Sequence, residues 1–221
     1  MTVYDNSAAR KAAAIRAHAR RGVWRWLLAR LGVTAHTRRA DVQARAWDAG
    51  AKGEADTVGL LSVLEREGWR VLHDRAIPGA RTANADHVLV SPGGRVFVVD
   101  SKLWSAKGPG GGLVRPAGER LMHGDRVDGR AIGSVRFEAD MVSRTLGVPV
   151  QPLIAVHNAP VAGQGFILQE VPVVPAGRLL ELLRGNDGPP HLSDAARLAR
   201  LAADRLPPYI SAQSRAGRRG R

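Results

Sequence analysis

The chain contains no cysteine. That excludes a disulfide framework and any zinc site built on thiolates, and it agrees with a reducing compartment. Aromatic residues make up only 5% of the sequence. That is too few for the stacking platforms on which RNA-binding and single-strand-binding proteins rely, so a basic RNA-binding or ribosome-associated protein is disfavoured. Lysine is scarce: of 33 basic residues, only Lys11, Lys52, Lys102 and Lys107 are lysines. Where arginine is the ordinary surface cation, a lysine is informative, because its compact ammonium can shift its pKa on burial and a guanidinium does not readily do so. Long apolar runs are missing too. The stretch Val23–Val33 is interrupted by Arg25 and Arg30, is too short to span a bilayer and lacks a signal-peptide cleavage pattern. A cytoplasmic protein with no membrane partner is expected.

What remains is an ordinary globular composition, 221 residues with 44% hydrophobic and 24% charged. This supports one substantial core, or a core with a small appendage. The net charge of +13 is unevenly placed. Residues 1–45 hold ten basic residues against Asp5 and Asp41, and residues 197–221 hold seven arginines against Asp204. The centre, with sixteen basic and seventeen acidic residues, is neutral. Basic arms on a neutral body point to a polyanion, most often nucleic acid.

Three regions follow: a basic helical extension over 1–45, an α/β body over 46–206 and a basic, disordered tail over 207–221. In the extension a helix is expected over 7–31, with Trp24, Leu27, Leu28 and Leu31 on its packing face. Arg16, Arg20, Arg21, Arg38 and Arg39 are then free to grip phosphates. In the body, a helix over 54–66 precedes a strand over 69–77 and a hairpin over 85–104. A glycine-rich loop over 105–112, carrying Lys107, is expected to be a flap and lacks the Gly-Lys-Ser/Thr ending of a phosphate-binding loop. Short strands are expected near 113–115 and 120–123. Ile132, Val135, Ala139, Val142 and Leu146 mark a helix capped by Gly147. The apolar run 150–156 reads as a buried strand. Short strands at 166–168 and 171–174 and helices over 178–183 and 194–206, the last capped by Ser193, complete the body. The order predicts an α/β fold with a mixed central β-sheet flanked by helices.

Polar residues interrupt the hairpin where it should be apolar. Strand side chains alternate faces, so Val96, Val98, Asp100 and Lys102 share one face, and Asp86, Val88 and Val90 share one. A loop over 91–95 pairs 90 with 96, 88 with 98 and 86 with 100. Two carboxylates then meet at the end of an oily hairpin with an ammonium beyond. Like charges that close need a cation between them, and a divalent metal fits. A salt bridge of Asp100 with Lys102 or an arginine is the plainer alternative. Glu54 opens the 54–66 helix on the face of Val58 and Leu61, where it either stabilises the helix N-terminus from solvent or turns inward to a partner. His87 faces away from Asp86 and is expected to pack or hydrogen-bond there. His73, His123 and His157 have no metal-ligand spacing.

The segments Gly50-Ala51-Lys52-Gly53-Glu54, Ala83-Asn84-Ala85-Asp86-His87-Val88-Leu89-Val90 and Val98-Val99-Asp100-Ser101-Lys102-Leu103-Trp104 together resemble the nuclease-related domain (NERD) family. That family belongs to the restriction-endonuclease-like superfamily with the PD-(D/E)xK signature, and the match runs from about Trp47 to about Val174. The resemblance implies a restriction-endonuclease-like core with Glu54, Asp86, Asp100 and Lys102 as the active centre. It further implies Mg²⁺, with Mn²⁺ as a substitute, held by Asp86, Asp100 and Glu54. DNA would be the partner, with no small-molecule cofactor. Two departures stand out. Position 100 is Asp where the family more often has Glu, and no glutamine–tyrosine pair lies on the 130–146 helix. A metal-dependent deoxyribonuclease is expected, with a non-catalytic DNA-binding protein of the same fold as the alternative.

Overall fold

The computed structural model describes residues 52–80, 83–107 and 112–209. The chain divides into two compact units, Met1–Ala55 and Asp56–Arg221. Apart from the helical residues 52–55, the described residues all belong to the second. The helix expected over 7–31, the arginines at 16, 20, 21, 38 and 39, residues 108–111 of the loop and the tail from residue 210 lie outside the described residues. The first three residues of the expected disordered tail are instead held in place: the Ala76 N–H donates to the Pro207 carbonyl at 2.8 Å, Pro208 bridges to Arg75, and Tyr209 is buried.

Among the described residues, nine strands form two sheets. The large sheet joins β1 (Arg70–Ala76), β2 (Asn84–Val90), β3 (Val96–Leu103), β7 (Val150–His157), β9 (Val171–Pro175) and β8 (Phe166–Leu168), in that order across the sheet. β1, β2 and β3 are antiparallel, β3, β7 and β9 are parallel, and β8 is an antiparallel edge. The sheet is therefore mixed, as the order of elements predicted. β3 lies inside it and is buried on both faces, which is why Val96, Phe97, Val98 and Val99 form a continuous apolar run rather than an alternation.

Two cores follow from the strand alternation. On one face Val88, Val90, Val96, Val98, Ile154 and Val156 pack with α2 (Ala131–Leu146) and α4 (Leu192–Arg205) through Val135, Val142, Leu198 and Ala202. On the other, Leu89, Phe97, Val99 and Leu153 pack with Leu61 and Leu64 of α1 (residues 52–65) and with Leu179 and Leu183 of α3 (Leu179–Gly185). Of the expected Glu54–Val58–Leu61 line, Glu54 and Leu61 are buried, but Thr57 takes the place of Val58 in the stripe. Thr57 is fully buried and Val58 only half-buried, because the Thr57 hydroxyl is satisfied by hydrogen bonds and can be taken out of water.

α2 ends as predicted. Gly147, at a φ of 71°, returns its N–H to the Ser143 carbonyl. Its start is held by Asp128, which accepts the N–H groups of Arg130 and Ala131 at 2.9 and 2.8 Å. The cap expected at Ser193 is not used. α4 begins at Leu192 with His191 at its N-cap, where the His191 N–H donates to the Pro92 carbonyl at 2.9 Å, so the chain is fixed before it reaches the serine.

The small sheet, β4 (Val114–Ala117), β5 (Arg120–His123) and β6 (Arg126–Asp128), sits between β3 and α2 in the chain. β6 was not expected, since three residues carry too little pattern to read. The sheet is fastened where β3 and β7 end. Val114 N–H donates to the Pro160 carbonyl, His123 Nε2 lies 2.9 Å from the Ser105 carbonyl, and the His123 ring stacks on Trp104 at 5.0 Å.

Candidate active site

The β2–β3 ladder runs from Val90↔Val96 through Val88↔Val98 to His87↔Val99. The same register next brings 86 opposite 100, and there the ladder changes character. The Asp86 carboxylate, through Oδ2, accepts the backbone N–H of Ser101 at 3.1 Å. On the same face Asp100 is 4% exposed. The Lys102 ammonium lies 2.7 Å from both Asp100 oxygens and donates to Oδ1, while the buried Oδ2 takes no hydrogen bond. The salt bridge that the sequence offered as an alternative is thus present and reaches both carboxylate oxygens, Oδ2 through the ion-pair contact alone.

Glu138 completes the cluster from α2, and sequence reasoning missed it. Its Oε2 is also buried without a hydrogen bond. Burial pushes its carboxyl well above the usual range, the Asp100 charge adds to this, and Lys102 offsets part of it. Lys102 feels the same group. Burial works against its charge, but Asp100, Asp86 and Glu138 outweigh burial, so its pKa is raised and the ammonium stays protonated. A signal for Glu138 was there to be used. Position 138 lies three residues after Val135 and four before Val142, on the apolar side of the helix.

Glu54 is helical and buried, at 7% exposed, three residues before Thr57 on the same helix. It belongs to the first compact unit. Lys107 is exposed, in a short turn where Ser105 Oγ accepts the Lys107 N–H and donates to its carbonyl. Among the described residues, no three His, Asp or Glu side chains cluster so as to hold a metal ion. Mg²⁺ needs fewer, since it commonly binds through one or two carboxylates and keeps its waters. The hard carboxylate oxygens of Asp100 and of Glu138, whose buried Oε2 takes no hydrogen bond, are of the kind such an ion binds.

The opposite face of β3 carries a buried polar chain. His73 Nδ1 lies 2.8 Å from His87 Nδ1, and His87 Nε2 lies 3.0 Å from Ser101 Oγ. Ser101 Oγ donates to Thr57 Oγ1 at 2.8 Å, and Thr57 Oγ1 lies 2.7 Å from His157 Nε2. Burial lowers His87 well below the usual range, with His73 and His157 adding to it. Burial and then Arg75 lower His73 to about 4. His73 and His87 are therefore neutral at pH 7. His87 hydrogen-bonds away from Asp86, as its strand position required.

The nuclease-related domain family model matches residues 49–157. It ends with β7 rather than near Val174, so β8 and β9 lie beyond the matched segment. It spans Glu54, Asp86, Asp100, Lys102 and Glu138. No curated protein and no solved structure is significantly similar to the chain. Among the described residues, no helix is long and apolar enough to cross a membrane. With a mixed sheet flanked by helices, and acids and a lysine gathered where β2 and β3 end, residues 49–157 belong to the nuclease-related domain family.

Proposed function

We propose that the protein is a metal-dependent nuclease that hydrolyses DNA phosphodiester bonds. The observation that carries this reading is the buried Asp100 Oδ2, an anionic oxygen without a hydrogen bond beside a protonated lysine and two further acids. Asp100 and Asp86 are the residues to hold Mg²⁺, or Mn²⁺ in its place, with Glu138 as an additional carboxylate. A bound ion would polarise a phosphoryl oxygen and acidify a water. Lys102 keeps its proton, so its part is that of a fixed cation that offsets charge building on the phosphoryl oxygens, rather than that of a base. Asp86 fixes the β2–β3 end through Ser101. The basic termini and Lys107 supply sequence-independent attraction to the DNA backbone.

A non-catalytic DNA-binding protein on the same fold is favoured by one observation: Lys102 already neutralises Asp100, and no three acids or histidines cluster among the described residues. Cleavage of supercoiled and linear plasmid, compared in Mg²⁺, Mn²⁺ and EDTA, separates the two. Metal-dependent cutting that disappears in Asp100→Ala and Lys102→Ala is the expected result. Retained DNA binding without cutting under either metal would establish the non-catalytic reading.

A further inference from the structure

Ser101 is the one residue that touches both polar systems of β3. Its backbone N–H holds Asp86 on the acidic face, and its hydroxyl is held on the opposite face by His87 and Thr57. The direction of these bonds is constrained. A serine hydroxyl has one proton, and Ser101 gives it to Thr57. The 3.0 Å contact with His87 must then run the other way, with His87 donating through Nε2. A neutral imidazole with its proton on Nε2 has an accepting Nδ1, so the 2.8 Å contact with His73 requires His73 to donate through Nδ1. The chain is a one-way series of donors from β1 through β2 and β3 to α1. Three of its members are almost wholly buried, with His87 and Thr57 at 0% and Ser101 at 6% exposed, and His73 is half-buried.

We infer that His87, as its Nε2–H tautomer, is a positioning residue that acts through Ser101 to set the Asp86 carboxylate. Rotation of the Ser101 backbone would carry its N–H off Asp86, and the hydroxyl is the handle that prevents it. Thr57 holds the same handle from α1. This rests on the proposed nuclease site only for its consequence; the hydrogen-bond network is a property of the metal-free protein. Supporting partners behind carboxylate ligands typically alter metal affinity or activity by roughly 10–100-fold when removed.

Two measurements on the intact chain test it. Long-range ¹H–¹⁵N NMR of the histidine rings reads the tautomer directly in the wild type, without any substitution. Hydrogen exchange of the Ser101 amide and Mn²⁺ binding are then compared in wild type, His87→Leu and His87→Gln. Gln offers a donor N–H and an acceptor oxygen near the imidazole positions, and Leu offers neither. The expected result is Nε2–H at His87, a Ser101 amide that exchanges faster in Leu but not in Gln, and Mn²⁺ affinity lost about 10–100-fold in Leu and recovered in Gln. An Nδ1–H tautomer at His87, or a Ser101 amide equally protected in folded His87→Leu, would overturn the inference. A wild type that binds no Mn²⁺ and cuts no DNA would instead remove the nuclease reading, and the tautomer and amide data would still decide the network.

Discussion

The carboxylate of Asp100 on β3 and that of Glu138 on α2 each keep a buried oxygen without a hydrogen bond, and the charge of Asp100 helps hold the Glu138 proton in place. Two acids from separate elements thus share one ammonium, Lys102.

Glu138→Gln is therefore expected to stabilise the metal-free protein. The folded pKa of Glu138 lies above its ordinary 4.5. Its contribution is fully present below that value and is lost as pH rises through the folded pKa, because the folded state resists giving up the proton. Glutamine keeps the protonated shape and has nothing to lose. Denaturant titrations should show a higher midpoint for the variant near about pH 8, with the difference shrinking as pH falls towards 4.5. An equal difference at both pH values would show that Glu138 binds its proton equally well in the folded and unfolded states.

Asp100→Asn should destabilise the fold and abolish stabilisation by Mg²⁺. Removing one member of a buried pair costs about 3–5 kcal/mol when the other cannot escape. The Lys102 side chain is 29% exposed and can reach water, so a smaller loss of about 1–3 kcal/mol is expected. Saturating Mg²⁺ at a hundred times its Kd stabilises a folded protein by roughly 2.7 kcal/mol. Thermal melts should show that gain in the wild type and none in the variant.

Deleting residues 1–45 should weaken DNA binding and flatten its salt dependence. Each phosphate contact contributes about 0.9 to the slope of log affinity against log salt. Binding isotherms across a salt series measure this directly, and an unchanged slope would show that the ten basic residues of this segment do not grip the backbone.

Trp104→Ala should loosen the small sheet without unfolding the large one. The ring stack on His123 is worth roughly 0.5–1.5 kcal/mol beyond area burial. Faster amide exchange confined to β4, β5 and β6 is the expected signature, with β2 and β3 unchanged.

The hairpin was legible because alternation and a loop of fixed length determine register: Val88↔Val98 and Val90↔Val96 are found as read, and His87 lies on the opposite face. α2 was legible for the same reason, its apolar steps of three and four ending at a left-handed glycine. Thr57 was not, because a threonine beside a valine gives no hint that its hydroxyl meets partners 44 and 100 residues away. Glu138 was hidden differently. It sits between exposed Phe137 and buried Ala139, so it reads as part of a boundary until a second acid is known to face it. Ser193 looked like a cap because local propensity favours serine there, yet a tertiary bond from His191 to Pro92 started the helix two residues sooner.

β3 has no neutral side between residues 99 and 102. Deleting one residue from the 91–95 loop would turn the strand over, sending Asp100 and Lys102 towards the core that holds Trp69 and Leu153 and turning Phe97 and Ser101 onto the opposite face. Chemistry and folding are thereby written in the same reading frame: this hairpin can change its side chains one by one, but it cannot drift by a single position and remain either a site or a core.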